Sequence, residues 1–282
     1  MPAARLSELY RTAFVTGAST GLGRAFAEML LADGVRVWGT SRDVARLAAL
    51  AGGSGGRFTP VKLELRDVAG TEQAFLAAEK AADGFDIVVN NAGYGVFGEF
   101  AEVDFAVWRE QFEIMLLQPV RLSHLALKGM RARAMAGRKA ALVNISSLAA
   151  EFPLPFQSGY NAVKAGLSAF GESLMIELRD SGVIVLDVRP GDYRTQSESA
   201  VLRPVAAMPP RAARAWEAFV AMMQSGPEPA HAAAAVRRAL LRGRSGTVRT
   251  GSFFQAKLGP FLARFGSLSL RRRVQARYFD AH

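Results

Sequence analysis

The stretch TAFVTGASTGLG, residues 12–23, joins an apolar run to a glycine-rich one and leads into a helical pattern over about 21–32. Gly17, Gly21 and Gly23 permit a tight turn and a close approach of the backbone to a bound group. The start of the following helix directs unpaired N–H groups and a partial positive charge at the same place. The stretch therefore predicts the diphosphate site of a dinucleotide, with a purely structural turn as the alternative.

Outward from this loop, short apolar runs alternate with longer helical patterns along most of the chain. The strand-like runs are residues 12–16, 35–40, 57–65, 87–90, 140–145, 183–188 and 246–250. The other helical patterns are 43–50, 70–82, 104–136, 159–180, 211–224 and 229–242. This alternation predicts an α/β fold, a single Rossmann-type domain with a doubly wound parallel sheet of about seven strands.

Two later segments depart from the alternation. A stretch rich in Pro, Met and Arg follows Pro190, and we interpret 192–226 as a small substrate lobe on one domain that spans 1–250. Residues 251–282 form a tail in which apolar residues recur at nearly helical spacing before a group of arginines (Phe254, Leu258, Phe261, Leu262, Phe265, Leu268; Arg271, Arg272, Arg273, Arg277). We expect a basic amphipathic helical tail. It could lie on an anionic membrane, or pack on its own domain or another subunit, which is the commoner use of such a stripe.

Composition excludes several classes of protein. Of the 282 residues, 50% are hydrophobic and 21% charged, which is typical of a folded chain, and there is no cysteine for disulfides or thiolate ligands. His124, His231 and His282 are too scattered to predict a metal site. No uncharged apolar stretch of about 18 residues occurs, so no spanning helix is expected. We expect a cytoplasmic protein, with peripheral membrane association as the alternative.

The formal charge of +10 is unevenly distributed. Residues 1–188 hold 19 Lys+Arg against 20 Asp+Glu, residues 189–250 hold 10 against 4, and residues 251–282 hold 6 against 1. The excess in the final third predicts an acidic partner near the substrate end: a membrane surface, an acidic carrier or an anionic substrate. No zinc-finger spacing, RNA-binding signature or basic region with heptads accompanies it, so nucleic acid is not an expected partner.

The second strand ends in Thr40-Ser41-Arg42, with no carboxylate before Asp43. NAD-binding folds usually place an acidic residue there to bond the ribose 2′-hydroxyl, whereas an arginine pairs with a 2′-phosphate. The segment favours NADP(H) over NAD(H), unless Arg42 is only a solvated residue at a helix start.

A third set of residues consists of Ser147, Tyr160 and Lys164. Tyr160 and Lys164 are four residues apart on a predicted helix and so share a face. An adjacent cation favours the phenolate of a tyrosine, and a serine hydroxyl can donate a hydrogen bond to a carbonyl oxygen as charge develops there. Taken alone, a Tyr-x-x-x-Lys pair is more often a pair of surface residues. It indicates an active site only in combination with the glycine-rich loop.

Together these motifs resemble the short-chain dehydrogenase/reductase superfamily, from Thr12 to about Thr250. The matching features are the loop at 16–23, Asp67, Asn90-Asn91-Ala92-Gly93, Ser147 thirteen residues before Tyr160-x-x-x-Lys164, and Pro190-Gly191 followed by Thr195. The resemblance implies hydride transfer between NADP and a carbonyl or alcohol. Tyr160 would be the general acid in reduction, Lys164 would lower its pKa and hold the nicotinamide ribose, and Ser147 would polarise the carbonyl.

The same resemblance implies the nucleotide contacts. Asp67 would lie at the adenine amino group, Asn91 to Gly93 along the adenine ribose, and Pro190 to Thr195 at the carboxamide. The complete implied set is Gly17, Ser19, Thr20, Gly21, Leu22, Gly23, Ser41, Arg42, Asp67, Val68, Asn91, Ala92, Gly93, Tyr160, Lys164, Pro190, Gly191 and Thr195. By analogy, the helices at 104–136 and 159–180 would form the interface of a homodimer or homotetramer.

One residue departs from the family pattern. The family carries an asparagine in the helix before strand five, where it holds a kink and a water joined to the lysine, and Met115 occupies that position here. A thioether cannot bond the water as an amide does, although the backbone carbonyl could still serve. We favour an active enzyme over a nucleotide-sensing or regulatory protein with little turnover, because the proton-transfer residues are intact.

The substrate is expected to be apolar. The segment LAAEFPLPF, residues 148–156, lines the reacting carbon in such folds, and the lobe adds Met, Trp and Phe. We therefore expect the substrate to be a hydrophobic ketone, aldehyde or secondary alcohol. The alternative is that these apolar residues only pack in the hydrophobic core.

Overall fold

The computed structural model describes residues 4–195, 201–203, 208–263 and 265–281. Its seven strands form one parallel sheet in the order β3-β2-β1-β4-β5-β6-β7. The strands are β1 (Thr12–Val15), β2 (Arg36–Ser41), β3 (Phe58–Lys62), β4 (Ile87–Asn90), β5 (Ala140–Ile145), β6 (Val183–Pro190) and β7 (Gly246–Thr250). The strand order reverses at β1, and ligands bind such sheets beyond the carboxyl ends of the strands at that point. The expected fold is confirmed.

Helices cover both faces of the sheet. They are α1 (Gly21–Ala32), α2 (Ala48–Gly53), α3 (Val68–Ala82), α4 (Phe105–Phe112), α5 (Gln118–Met135), α6 (Ser158–Glu177), α7 (Pro210–Ser225), α8 (Pro229–Arg242), α9 (Gly259–Ala263) and α10 (Leu268–Tyr278). Phe26 of α1 and Leu240 of α8 are buried in the core on one face. Phe75 of α3 and Leu174 of α6 are buried in the core on the other. The arrangement is therefore doubly wound.

Strand position explains the burial pattern of the sheet. Every residue of β1, β4 and β5 is buried, as an interior parallel strand covered on both faces requires. Strand β3 lies at an edge and exposes Thr59 and Pro60. A proline, which donates no ladder hydrogen bond, is tolerated at such an edge. This strand ends at Lys62, three residues before its predicted end.

The predicted helix 104–136 is not one regular helix. A π-helical turn at Glu113–Leu117 separates α4 from α5, and Met115 lies buried within it. The wider turn, which often accompanies functional sites, breaks the regular path of the chain beside α6.

The described part of the lobe contains α7, and the described part of the tail is mostly helical. In the lobe, Trp216 of α7 packs edge-on against Phe97. The tail consists of a π-helical turn at Phe254–Leu258 followed by α9 and α10. Lobe residues 196–200 and 204–207 and tail residues 264 and 282 lie outside the described residues. The division into lobe and tail stays a prediction. Among the described residues, no helix is long and apolar enough to cross a membrane.

Candidate active site

A cavity of about 1170 Å³, the main cavity, lies beyond the carboxyl ends of the central strands. Its wall contains nearly all of the predicted site residues: Gly17, Ser19, Thr20, Gly21, Leu22, Gly23, Ser41, Arg42, Asn91, Ala92, Gly93, Ser147, Tyr160, Lys164, Pro190, Gly191 and Thr195. Residues that are far apart in sequence are thus brought to one place by the ends of the strands.

The glycine-rich loop presents backbone to this cavity. Gly17 and Gly21 adopt positive φ angles of 68° and 55°, which favour glycine. A Cβ at Gly23 would collide with the backbone oxygen of Gly17. The Gly17 N–H donates to Thr40 Oγ1 at 3.1 Å, and Asn91 Nδ2 donates to the Thr16 carbonyl at 2.9 Å. The loop is therefore held against β2 and β4, and α1 begins directly behind it.

Cations line the cavity where β2 ends. Arg42 and Arg46 both reach its wall and form no salt bridge with a described residue. Arg66 also lines it, but that guanidinium is paired with Glu110 at 2.8 Å. The Asp43 carboxylate accepts a hydrogen bond from the Ala45 N–H at 3.0 Å. With no partner among the residues that the structure describes, the guanidinium groups of Arg42 and Arg46 are available for an anionic group.

Ser147, Tyr160 and Lys164 meet near the middle of the cavity. Ser147 follows β5, whereas Tyr160 and Lys164 lie on the first turns of α6. Lys164 Nζ donates to the Ile145 carbonyl at 2.8 Å and lies 5.6 Å from the centroid of the Tyr160 ring. The lysine is thus fixed beside the phenol by the end of β5.

The charge states of these groups follow from their surroundings. Burial raises the pKa of Tyr160; a hydrogen bond with Ser147 opposes this shift, and the nearby Asp192 carboxylate adds to it. The pKa of Tyr160 is therefore raised, whereas the resemblance implied that Lys164 would lower it. Burial lowers the pKa of Lys164 to about 8, although the Asp187 carboxylate opposes that shift. Tyr160 is therefore a protonated phenol at neutral pH and suits proton donation to a carbonyl.

Apolar side chains and the tail enclose the other end of the cavity. Leu148, Phe152 and Leu154 line it together with lobe residues Phe219 and Met223. The tail contributes Phe254, Gln255, Leu262, Leu270, Arg271, Val274, Gln275, Tyr278 and Phe279. The sequence placed the first group at the substrate. The sequence did not indicate that the tail completes the wall of the cavity. The spacing of apolar residues in the tail predicts an amphipathic helix, but it does not predict what that helix packs against.

Gln255 joins the tail to the loop after β6. Its Nε2 donates to Asp192 Oδ2, and its Oε1 accepts from the Asp192 N–H at 3.3 Å. A Cβ at Gly191 would lie 2.5 Å from Gln255 Oε1, so the amide occupies the space that this glycine leaves. Burial raises the pKa of Asp192, and the hydrogen bond from Gln255 opposes that shift.

The family model for short chain dehydrogenases matches residues 11–204. The chain belongs to the short-chain dehydrogenase family. This family comprises oxidoreductases that act on CH–OH or carbonyl groups with nicotinamide nucleotides, and the expected enzyme class is confirmed at that level.

Several relatives of this short-chain dehydrogenase are known. An uncharacterized oxidoreductase of Schizosaccharomyces pombe is 31% identical over 69% of this chain, which spans 65% of that relative's length. A probable NADP-dependent dehydrogenase of Haemophilus influenzae is 31% identical over 64% of this chain and 70% of its own. A short-chain dehydrogenase structure from Streptomyces avermitilis has a TM-score of 0.81 and 29% identity, covering 97% of this chain and 98% of its own.

The adenine contacts expected of Asp67 and Val68 stay a prediction. Asp67 and Val68 are absent from the cavity wall, which contains Glu64 and Leu65 instead. Asp67 is the N-cap of α3, and its carboxylate accepts from the Gly70 N–H at 2.9 Å. Because β3 ends at Lys62 and not at residue 65, Glu64 and Leu65 lie between the end of the strand and Asp67.

Met115 has a packing role in this short-chain dehydrogenase. Its Sδ accepts the Tyr94 N–H at 3.3 Å, and a Cβ at Gly93 would lie 2.7 Å from its methyl carbon. The described hydrogen bond of Lys164 goes to Ile145 and not to the π-helical turn. The thioether therefore shapes the cavity wall under Gly93, while the lysine is held from β5.

Asn90, the first residue of the Asn-Asn-Ala-Gly motif, is structural. Its Nδ2 donates to Asn144 Oδ1 and to Ser123 Oγ, both at 2.9 Å. These bonds tie β4 to β5 and α5.

Proposed function

We propose that this protein is an NADP(H)-dependent oxidoreductase that interconverts a hydrophobic ketone or aldehyde and the corresponding alcohol. The observation that carries the proposal is the position of Ser147, Tyr160 and Lys164 in one cavity, between a glycine- and arginine-lined end and an apolar end. Because the proton-transfer residues face the same cavity as the dinucleotide loop, turnover is favoured over nucleotide sensing.

The chain's own groups divide the work of reduction. Tyr160 donates its proton to the substrate oxygen, and Ser147 donates a hydrogen bond to that oxygen as negative charge develops on it. Lys164 stabilises the phenolate that remains and is placed to hold a ribose hydroxyl. The bound nucleotide supplies or accepts the hydride. The residues around the glycine-rich loop fit its diphosphate, because backbone and a helix start face the cavity there.

The preference for NADP(H) rests on Arg42 and Arg46. Their guanidinium groups lie where β2 ends and have no described carboxylate partner, so a 2′-phosphate would be bound by charge-assisted hydrogen bonds. The Haemophilus influenzae relative, named a probable NADP-dependent dehydrogenase, supports the same choice.

The test is a panel of ketones, aldehydes, steroids, retinoids and alcohols, assayed with NADPH, NADP⁺ and their NAD counterparts. We expect carbonyl-dependent oxidation of NADPH with formation of the alcohol. Tight NADPH binding with no turnover of any member would overturn the proposal.

We propose two partners beyond the substrate. Leu117 beside α5 and Ile176 on α6 are exposed apolar side chains that fit a homodimer or homotetramer interface, which light scattering after gel filtration would test. On the tail, Phe261 and Phe265 are 56% and 78% exposed, and Arg272 and Arg273 are exposed as well, which fits binding to an anionic membrane. Vesicles of anionic lipid should bind the protein, and vesicles of neutral lipid should not. The cytoplasmic location stays a prediction.

A further inference from the structure

A second cavity, of about 530 Å³, adjoins the main one between the segment after β5 and the tail. We call it the basic groove. Its wall includes the charged residues Glu151, Arg249, Lys257 and Arg271 and the ring of Phe152. Phe152 and Arg271 belong to the walls of both cavities, so the groove and the main cavity meet at these two side chains.

The charges of the groove do not balance. Arg249, Lys257 and Arg271 face one acidic residue, Glu151. Glu151 Oε1 accepts from Arg249 Nε at 2.7 Å and from the buried Arg189 at 2.6 Å. Although burial acts to raise its pKa, these two arginines hold the pKa of Glu151 below its usual value, so the carboxylate stays charged. It is committed to these two arginines and leaves the other two cations without a described carboxylate partner.

Arg271 is held in place without being neutralised. Its Nη2 donates to the Glu151 carbonyl oxygen at 2.9 Å, and its guanidinium carbon lies 5.6 Å from the centroid of the Phe152 ring. Its Nε is buried and has no hydrogen-bond partner among the described residues. Buried donors are nearly always satisfied, so an acceptor from water or from a bound group would complete this guanidinium. A planar guanidinium with free donors matches a carboxylate or a phosphate group.

The main cavity is apolar next to Arg271, whereas the adjoining groove is basic. The main cavity beside Arg271 is lined by the apolar side chains of Leu148, Leu262, Leu270 and Val274. We propose that the basic groove binds an anionic group, a carboxylate or a phosphate, carried by a hydrophobic substrate whose chain and carbonyl lie in the main cavity. This inference rests on the proposed function and narrows its substrate to an amphiphilic anion.

The kinetic test compares charged and neutral probes of equal length. Oxo acids of six to fourteen carbons, their methyl esters and the matching oxoalkyl phosphates are assayed with NADPH against the wild type, Arg271→Gln and Arg272→Gln. Arg272 is the matched control, because it is exposed and belongs to neither cavity wall. We expect Arg271→Gln to raise the KM of the anionic probes about 10- to 100-fold, the usual effect of a charge-assisted hydrogen bond. The KM of the uncharged methyl ester should rise much less than that of the acid, because the ester has no charge for Arg271 to bind.

The outcomes separate a ligand site from a structural contact. Equal kcat/KM for acid and ester at every length, or an equal loss on both in Arg271→Gln, would overturn the proposal. The relative KM of acid and phosphate shows which anion the groove takes. If no carbonyl probe turns over, the proposed function fails first. Calorimetric titration of alkyl carboxylates and alkyl phosphates then still tests the groove, since binding lost in Arg271→Gln alone supports it and no binding contradicts it.

Discussion

The two ends of the main cavity are built by different means. At the nucleotide end, short loops follow β1, β2, β3 and β4, and each loop is placed by the strand before it. At the substrate end, the wall is completed by α10 and the π-helical turn Phe254–Leu258, which come much later in the chain. Side-chain contacts of Gln255 and Arg271 hold the tail there. The difference indicates a rigid nucleotide end and a substrate end that side-chain changes can reshape.

Among the substitutions that compare the two ends of the main cavity, Gly23→Ala should have the largest effect, a loss of NADPH affinity. The new Cβ would meet the backbone oxygen of Gly17, which cannot move without distorting the loop. A cost of about 3 kcal/mol corresponds to NADPH binding weaker by on the order of 100-fold. Calorimetric titration measures it. Gly52→Ala is the control, because nothing lies within 4 Å of that added carbon. Unchanged NADPH affinity would mean that the loop is not rigid.

Arg42→Asp should come next. Loss of a charge-assisted hydrogen bond to the 2′-phosphate costs about 1.5–3 kcal/mol, so NADPH binding should weaken roughly 10- to 100-fold. NADH affinity should change little, because NADH has no such phosphate. Arg57→Asp, at an exposed position outside the cavity wall, is the control. An equal loss for both nucleotides would contradict the assignment of Arg42.

Gly191→Ala, next to Gln255 of the tail, should have a smaller effect, a modest loss of kcat/KM. Here the added Cβ would lie 2.5 Å from Gln255 Oε1 and 3.1 Å from Leu148 Cδ1, both ends of side chains that can shift. A cost of about 1 kcal/mol predicts a loss of kcat/KM of roughly fivefold, and because Gly191 belongs to the implied nucleotide contacts, any loss of NADPH affinity should stay within the same factor. A loss as large as that of Gly23→Ala would show that the two ends are equally rigid.

Asp192→Asn should have the smallest effect, seen in the pH profile. The Asp192 carboxylate raises the pKa of Tyr160, so its removal lowers that pKa. Reduction needs the protonated phenol, and the alkaline limb of kcat/KM should therefore move to lower pH. The exposed Asp180→Asn serves as the control. A limb that stays in place, or that moves to higher pH, would contradict the electrostatic coupling.

The nucleotide end was largely predictable because its signals are local. A glycine-rich loop between a strand and a helix has few other uses, and β4, β5, β7 and α8 begin and end where the pattern places them. Errors arose where local patterns are ambiguous. The apolar residues Leu63 and Leu65 extended the predicted β3 to residue 65, whereas the strand ends at Lys62. The π-helical turn at Glu113–Leu117 has the same apolar periodicity as a regular helix over so short a length.

The substrate end was only partly predictable because its contacts are not local. The pattern of the tail indicates an amphipathic helix, but it cannot show that Gln255 reaches Asp192 or that Arg271 reaches the carbonyl of Glu151. The basic charge of the final third was visible in the sequence. The sequence did not show which of these basic residues face the cavities and which face solvent. Arg271 lines the cavities, whereas Arg272 and Arg273 are exposed on the outer surface.

The central claim is that Tyr160 donates the proton in nicotinamide-dependent carbonyl reduction. The most direct test compares the wild type and Tyr160→Phe in a single turnover with NADPH and the best carbonyl of the panel, with NADPH affinity measured for both. We predict a rate about 10²- to 10⁴-fold lower for Tyr160→Phe, the usual contribution of a general acid, with unchanged NADPH affinity. Equal single-turnover rates would contradict the claim.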